Sequence, residues 1–285
     1  MLYATMATSL AMIAFAANSV LARLALGDDA IDPASYTGVR IVSGAVVLAL
    51  IAMLRRSRAG RGGSLTTAGD WPSAVALFAY AAAFSYAYLS LGAATGALIL
   101  FAAVQLTMIL WGIFRGDRPG PQALAGLILA FAGFVWMLLP GLRAPDPGGS
   151  ALMILSGIAW GIYSLRGRGA GDPLSETAGN FLRAAPLGLP FFLLPGVFHA
   201  TAPGLWLAVL SGAVASGLGY AVWYTALPLL GRMQAATVQL TVPAIAAAGA
   251  VLFLSEDLTA RLVVSAAVIL AGVLIVIRVK ARTSS

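Results

Sequence analysis

The sequence predicts an all-α membrane protein of ten transmembrane helices, arranged as two inverted five-helix repeats. Three observations predict it. Of 285 residues, 60% are apolar and only 9% charged, whereas charged residues approach a quarter of an ordinary soluble domain. Ten apolar stretches are each long enough for the roughly 20 residues that a bilayer core demands of a helix. Short motifs also recur at one spacing: Gln105-Leu106-Thr107 returns as Gln239-Leu240-Thr241, each 19 residues after a Tyr-Ala, at Tyr86 and Tyr220. Both pairs share an offset of 134 residues, which marks an internal duplication.

The ten spans fall at about 2–22, 35–54, 71–91, 94–114, 122–139, 150–166, 175–194, 205–226, 233–254 and 260–277. The first lacks a basic flank and a small-residue cleavage site, so it is expected to be a retained helix and not a signal peptide. Connections are short, as at Gly92-Ala93, and leave no room for a soluble domain. The first repeat occupies 1–140 and the second 150–278, followed by a tail at 279–285.

Charge sets the orientation. With ten spans, both termini share a side with the loops after spans 2, 4, 6 and 8. That side holds 12 of the 17 basic residues: Arg55, Arg56, Arg58, Arg61, Arg115, Arg118, Arg166, Arg168, Arg232, Arg278, Lys280 and Arg282. Arg23, Arg143 and Arg261 lie opposite, with six acidic residues from Asp28 to Asp257. The positive-inside rule then puts both termini in the cytoplasm, and the Arg-over-Lys, Ala-rich composition suggests a bacterial inner membrane. The net charge of +7 reflects this asymmetry and not a nucleic-acid partner.

The duplication extends further. Ala14-Phe15, Ser19 and Arg23 are matched by Ala159-Trp160, Ser164 and Arg168. Arg40 is matched by Arg183, Asp117 by Glu256, and Ala132-Gly133 by Ala271-Gly272. Five spans per copy is an odd number, so the second copy enters the membrane inverted. Inverted repeats of this kind are typical of secondary transporters.

These residues resemble the drug/metabolite transporter superfamily, and its EamA branch in particular. The resemblance rests on Phe15-x-x-Asn18 and Trp160-Gly161 in the first helix of each half and Arg40 in the second. It continues with Gly116-Asp117 and Ser255-Glu256 after each fourth helix, and Gly126, Gly133 and Gly272 in each fifth. It covers nearly the whole chain. Ten-helix amino-acid exporters of the YddG type are the members it most suggests, which implies metabolite export by alternating access. The chain departs from the family where Gly-Glu is replaced by Gly-Asp and Ser-Glu, and where the fourth-helix proline stands only at Pro243.

Absences narrow the chemistry. There is no cysteine and one histidine, His199, so thiol chemistry, a histidine metal site and a histidine proton relay are excluded. No Asp or Glu stands in the middle of a span, where a proton-coupled carrier needs a carboxylate. The single lysine is Lys280, which disfavours phosphate-bearing substrates. An intramembrane lipid-modifying enzyme would need paired acids or a histidine set, and neither is present. A small neutral or zwitterionic solute remains, aromatic or apolar amino acids above all, with other drugs or metabolites as the alternative. No cofactor or metal is implied, and a monomer is expected.

Polar groups within spans are expensive unless partnered or facing water. Asn18, Gln105, Asn180 and Gln239 are expected to join helices or to line a cavity. Arg40, about five residues from the end of span 2, is expected to snorkel or cap a neighbouring helix. Arg183 is expected to pair with Glu176 on its own helix face. Tyr80, Phe84 and Tyr88 form one stripe, as do Trp160 with Tyr163 and Tyr220 with Trp223 and Tyr224. The expected substrate-binding set is Asn18, Tyr80, Phe84, Tyr88, Gln105, Trp160, Tyr163, Trp223 and Gln239. Repeated residues serve both halves alike, so Tyr86 and Tyr220, with Arg40, Glu176, Arg183 and Pro243, are expected as gate or scaffold. Gly92-x-x-x-Gly96, Gly112-x-x-x-Gly116 and Gly157-x-x-x-Gly161 are expected to pack helices closely.

Overall fold

A helix start leaves backbone N–H groups without partners, and at five helices this chain answers with an Asp or Thr cap and a proline in the first turn. Asp32, Asp70, Asp146, Asp172 and Thr201 accept the N–H three residues on, at 2.8 Å from Ser35, 2.9 Å from Ser73, 2.6 Å from Gly149, 3.3 Å from Ser175 and 3.2 Å from Gly204. Pro33, Pro72, Pro147, Pro173 and Pro203 follow within two residues of these caps.

The computed structural model describes residues 2–58, 68–116, 119–139, 144–167, 171–193, 198–230, 235 and 238–282. The helices are α1 Leu2–Gly27, α2 Pro33–Arg58, α3 Trp71–Ala87, α4 Ala93–Phe114, α5 Pro121–Leu138, α6 Pro147–Arg166, α7 Pro173–Ala184, α8 Ala202–Leu229, α9 Val242–Leu254 and α10 Ala260–Arg282. Among the described residues, seven of them (α1, α2, α4, α5, α6, α8 and α10) are long and apolar enough to cross a membrane. Large apolar side chains such as Phe114, Phe131 and Phe253 stay on the outside, where lipid is the solvent. Arg61, Asp117, Arg118, Arg143, Arg168 and Arg232 lie outside the described residues.

Three of the expected spans are irregular. The α-helix of α7 ends at Ala184 and tightens into a 3-10 helix over Ala185–Leu193, where Pro186 and Pro190 withhold donors from the ladder. In α8, the turns Ala202–Val209 and Gly219–Ala226 flank a π-helical stretch, Leu210–Leu218. The ninth span breaks at a turn over Leu240 and Thr241, and α9 begins at Val242. Pro243 therefore does not bend a continuous helix: it sits in a first turn, where its missing N–H costs nothing.

Small residues set the packing. α3 and α4 pack on α6, α8 and α9 on α1, α2 on α7 and on the π stretch of α8, α4 on α9, and α5 on α10. A methyl group added at Gly157 would lie 2.8 Å from the Leu100 carbonyl, and one at Gly126 would lie 2.8 Å from that of Gly272. Gly116 is different: it ends α4 at φ 101°, and no described residue lies within 4 Å of where its Cβ would stand. Ser255 ends α9 at φ 51°, also left-handed.

The two ends of the bundle are tied by polar contacts. At the end of the α1–α2 connection, Asp32 N–H donates to His199 O at 2.7 Å and Thr201 N–H to Ala30 O at 2.8 Å. At that end Glu256 accepts from Ala93 N–H at 2.7 Å, and Arg23 stands 4.0 Å from Glu256. At the opposite end Arg166 meets Asp70 at 2.8 Å. Burial pushes the Asp70 carboxyl up, but hydrogen bonds from Ser73 and the Arg166 guanidinium outweigh it and hold it below the usual carboxylate range.

Candidate functional site

Between these ends, helical spacing turns aromatic side chains of several helices toward one another. Tyr80 of α3 lies 4.8 Å from Trp160 of α6, ring centre to ring centre. Trp160 stacks on Tyr163 at 5.2 Å and on Tyr220 of α8 at 5.5 Å. Phe84 follows Tyr80 at 5.7 Å, and Tyr88 follows Phe84 at 4.7 Å. On the other side Tyr220 meets Phe15 at 5.4 Å and Phe181 at 6.0 Å, and Phe15 reaches Trp223 at 6.1 Å. Such ring pairs contribute about 0.5–1.5 kcal/mol beyond their buried area. Hydroxyls lace the edge: Tyr163 OH donates to Thr177 Oγ1 at 3.3 Å, and Thr177 and Tyr224 share a bond of 2.9 Å.

Arg40 lies beside this ladder. It is 2% exposed, so it neither snorkels nor caps a helix. Its Nη2 donates to Tyr80 OH at 2.7 Å. Its guanidinium carbon lies 4.6 Å from the Phe84 ring centre and 5.2 Å from that of Tyr80, within the range of a cation–π contact. Its Nη1 has no hydrogen-bond partner among the described residues. Distance from the span end suggested snorkelling, but the aromatic faces of α3 cover the side chain.

The remaining expected residues divide. Asn18 Oδ1 accepts from Ser211 at 2.7 Å and from Ser216 at 3.4 Å, so it joins α1 to the π stretch of α8. Gln105 is 5% exposed and makes no side-chain hydrogen bond among the described residues, while Gln239 is half-buried. Tyr88 is fully buried near the end of α3, its hydroxyl 3.5 Å from Ala93 O. The expected pairing of Glu176 with Arg183 gives way to a shared anchor. Glu176 Oε2 accepts from Gly69 N–H at 2.6 Å, and Arg183 donates to Ala68 O. Asn180 joins them by accepting Asp70 N–H at 2.8 Å. The N–H groups of Gly69 and Asp70 thus find their acceptors on α7.

The duplicated tyrosines part company. Tyr220 is buried at the junction of the ladder, whereas Tyr86 is half-buried. Sequence reasoning missed Tyr36, one turn before Arg40 on α2 and fully buried. Its spacing of four from Arg40 was the available signal. Phe181, buried against Tyr220, had no signal beyond its apolar character. Among the described residues no group of three or more His, Asp or Glu is placed to hold a metal ion.

The described residues thus form a helical bundle in which seven helices are long and apolar enough to cross a membrane, around a buried cluster of aromatic rings and one arginine. The chain belongs to the EamA-like transporter family, whose model matches residues 2–139 and 147–278. A protein of Pseudomonas aeruginosa, described as uncharacterized, is 52% identical over 271 residues, covering 95% of this chain and 93% of its own. An uncharacterized transporter of Archaeoglobus fulgidus is 27% identical over 237 residues, 77% of this chain and 78% of its own. A solved crystal structure superposes with a TM-score of 0.62 at 23% identity, covering 97% of this chain and 99% of that one. That likeness shows the fold alone. With the family, the apolar helices make this a multi-pass membrane protein.

Proposed function

We propose that this chain is a secondary transporter that exports small metabolites, aromatic or apolar amino acids foremost, by alternating access. Two inverted five-helix halves, 1–140 and 150–278, exchange conformations about a centre to which both contribute. It resides in a bacterial inner membrane as a monomer, crossing ten times with both termini in the cytoplasm. Substrate is held by Tyr80, Phe84, Trp160 and Tyr163, with the amide of Gln105 available to it.

The observation that carries this reading is the aromatic ladder, in which α3 of the first half and α6 and α8 of the second meet at Trp160. Helix pairing supports the inversion. Exchanging the halves turns the packing of α3 and α4 on α6 into that of α8 and α9 on α1, and maps α2–α7, α4–α9 and α5–α10 onto themselves. Asp32-Pro33-x-Ser35 and Asp172-Pro173-x-Ser175 cap the second helix of each half alike. The family model also matches in two segments.

Proteoliposomes loaded with labelled amino acids test the function. Efflux of phenylalanine, tryptophan or leucine above that from protein-free liposomes is expected. Retention of every amino acid tried refutes the assignment of substrate.

A further inference from the structure

We infer that Arg40 is the anchor for a carboxylate, so that the transported solute is held by its acid group, with the Tyr36 hydroxyl as a second donor. The inference rests on the transport reading above and deepens it by naming the chemical group that the site grips. Neither the duplication nor the aromatic ladder implies it.

The first support is an unbalanced charge. A guanidinium removed from water is costly unless an anion or a full set of acceptors compensates it. Arg40 is 2% exposed and belongs to no ion pair among the described residues. Among the described residues, the titratable groups close to it are the phenols of Tyr80, Tyr36 and Tyr220. A positive charge held inside a membrane protein without an anion is matched when an anionic ligand arrives.

The second support is geometric. Arg40 offers a fork of donors. One arm is taken by Tyr80 OH, and the faces are covered by Phe84 and Tyr80. The Nη1 arm is left over. The hydroxyl of Tyr36, buried one turn earlier on the same helix face, also lacks a hydrogen bond among the described residues. Ser211 stands beside the phenol without meeting hydrogen-bond geometry to it, and its own proton goes to Asn18 Oδ1 at 2.7 Å. Two orphaned donors, one of them cationic, fit a group that only accepts and has two oxygens. A carboxylate is such a group. A phosphate would call for more than one cation, and Tyr36, Tyr80 and Tyr220 supply none.

Three ligands of similar size separate the possibilities: L-phenylalanine, 3-phenylpropionate, which keeps the acid and lacks the amine, and phenethylamine, which keeps the amine and lacks the acid. Affinity is read on the purified full-length protein by ligand-induced thermal shift, and transport by exchange in proteoliposomes. The wild type is expected to bind the two acids and to bind phenethylamine far more weakly. Arg40→Gln is expected to weaken both acids by about tenfold or more, the range of a charge-assisted hydrogen bond, without weakening phenethylamine further. Arg40→Lys, which keeps the charge without the fork, is expected to lose less. Tyr36→Phe removes one donor and no charge, so it is expected to weaken the acids alone by about fivefold, and it serves if Arg40→Gln does not fold. Unchanged acid affinity in these variants, or equal weakening of phenethylamine, overturns the anchor. A wild type that exchanges phenethylamine but neither acid overturns the anchor and leaves transport standing. A wild type that moves no solute overturns both.

Discussion

The carboxylate of Glu256 accepts the backbone N–H of Ala93 at 2.7 Å, so a residue just beyond α9 caps the start of α4 across 163 residues of chain. Gly92 makes room for it: a methyl group there would lie 2.8 Å from Glu256 Oε2. Glu256→Ala is expected to lower stability by about 1 kcal/mol, the usual worth of a cap, read as melting temperature in detergent. Gly92→Ala is expected to displace the same carboxylate. The double variant should therefore cost less than the sum of the two; strict additivity would refute the cap.

Acid should loosen the opposite end. The folded state holds Asp70 below its ordinary value of 3.8. A depressed carboxyl contributes stability that is present above the unfolded value and lost as pH falls through the folded one. Thermal stability is expected to fall below about pH 4, and Asp70→Asn to flatten part of that fall. Identical pH profiles would count against the interaction. At neutral pH, Arg166→Gln should cost under about 1 kcal/mol, because the pair is exposed.

The ladder should carry transport. Phe84→Ala, Trp160→Ala and Tyr163→Ala are expected to slow amino-acid efflux by about tenfold at unchanged protein level, the scale of a lost ring contact. Tyr220→Ala is expected to match them, although Tyr220 is a repeated residue. Wild-type rates in Phe84→Ala and Tyr163→Ala would remove these rings from the substrate path.

Transport should also run without a proton gradient. Glu256 is engaged as a cap and Glu176 binds the turn before α3, so neither is poised as a carrier. A protonophore is expected to leave efflux from proteoliposomes unchanged. Strong inhibition would point to Glu176, Glu256 or Asp117.

Much of the scaffold was legible because its causes are local. Apolar length located the seven helices long enough to cross a membrane, and Asp-Pro pairs mark several helix starts. What was not legible depends on neighbours. Arg40 looks like a snorkelling residue from its own helix, but Tyr80 and Phe84 of α3 lie over its guanidinium. Glu176 and Arg183 satisfy a helical spacing rule, yet both turn to the chain at Ala68 and Gly69. Tyr86 and Tyr220, alike in sequence, differ in burial, and the apolar run of α8 conceals its π stretch.

That stretch has a mechanical meaning. Bonded i to i+5, the nine residues Leu210–Leu218 complete fewer turns than they would in an α-helix of 3.6 residues per turn. Rewinding them as α-helix would turn and advance everything beyond, as a screw does, while Gly212 stayed pressed against Arg40 and Ser43 of α2. Tyr220 would swing away from Trp160, and Trp223 from Phe15. The rotational phase of the aromatic half of α8 is thus stored in a hydrogen-bond ladder, where a change of register could reshape the centre with no hinge or loop involved.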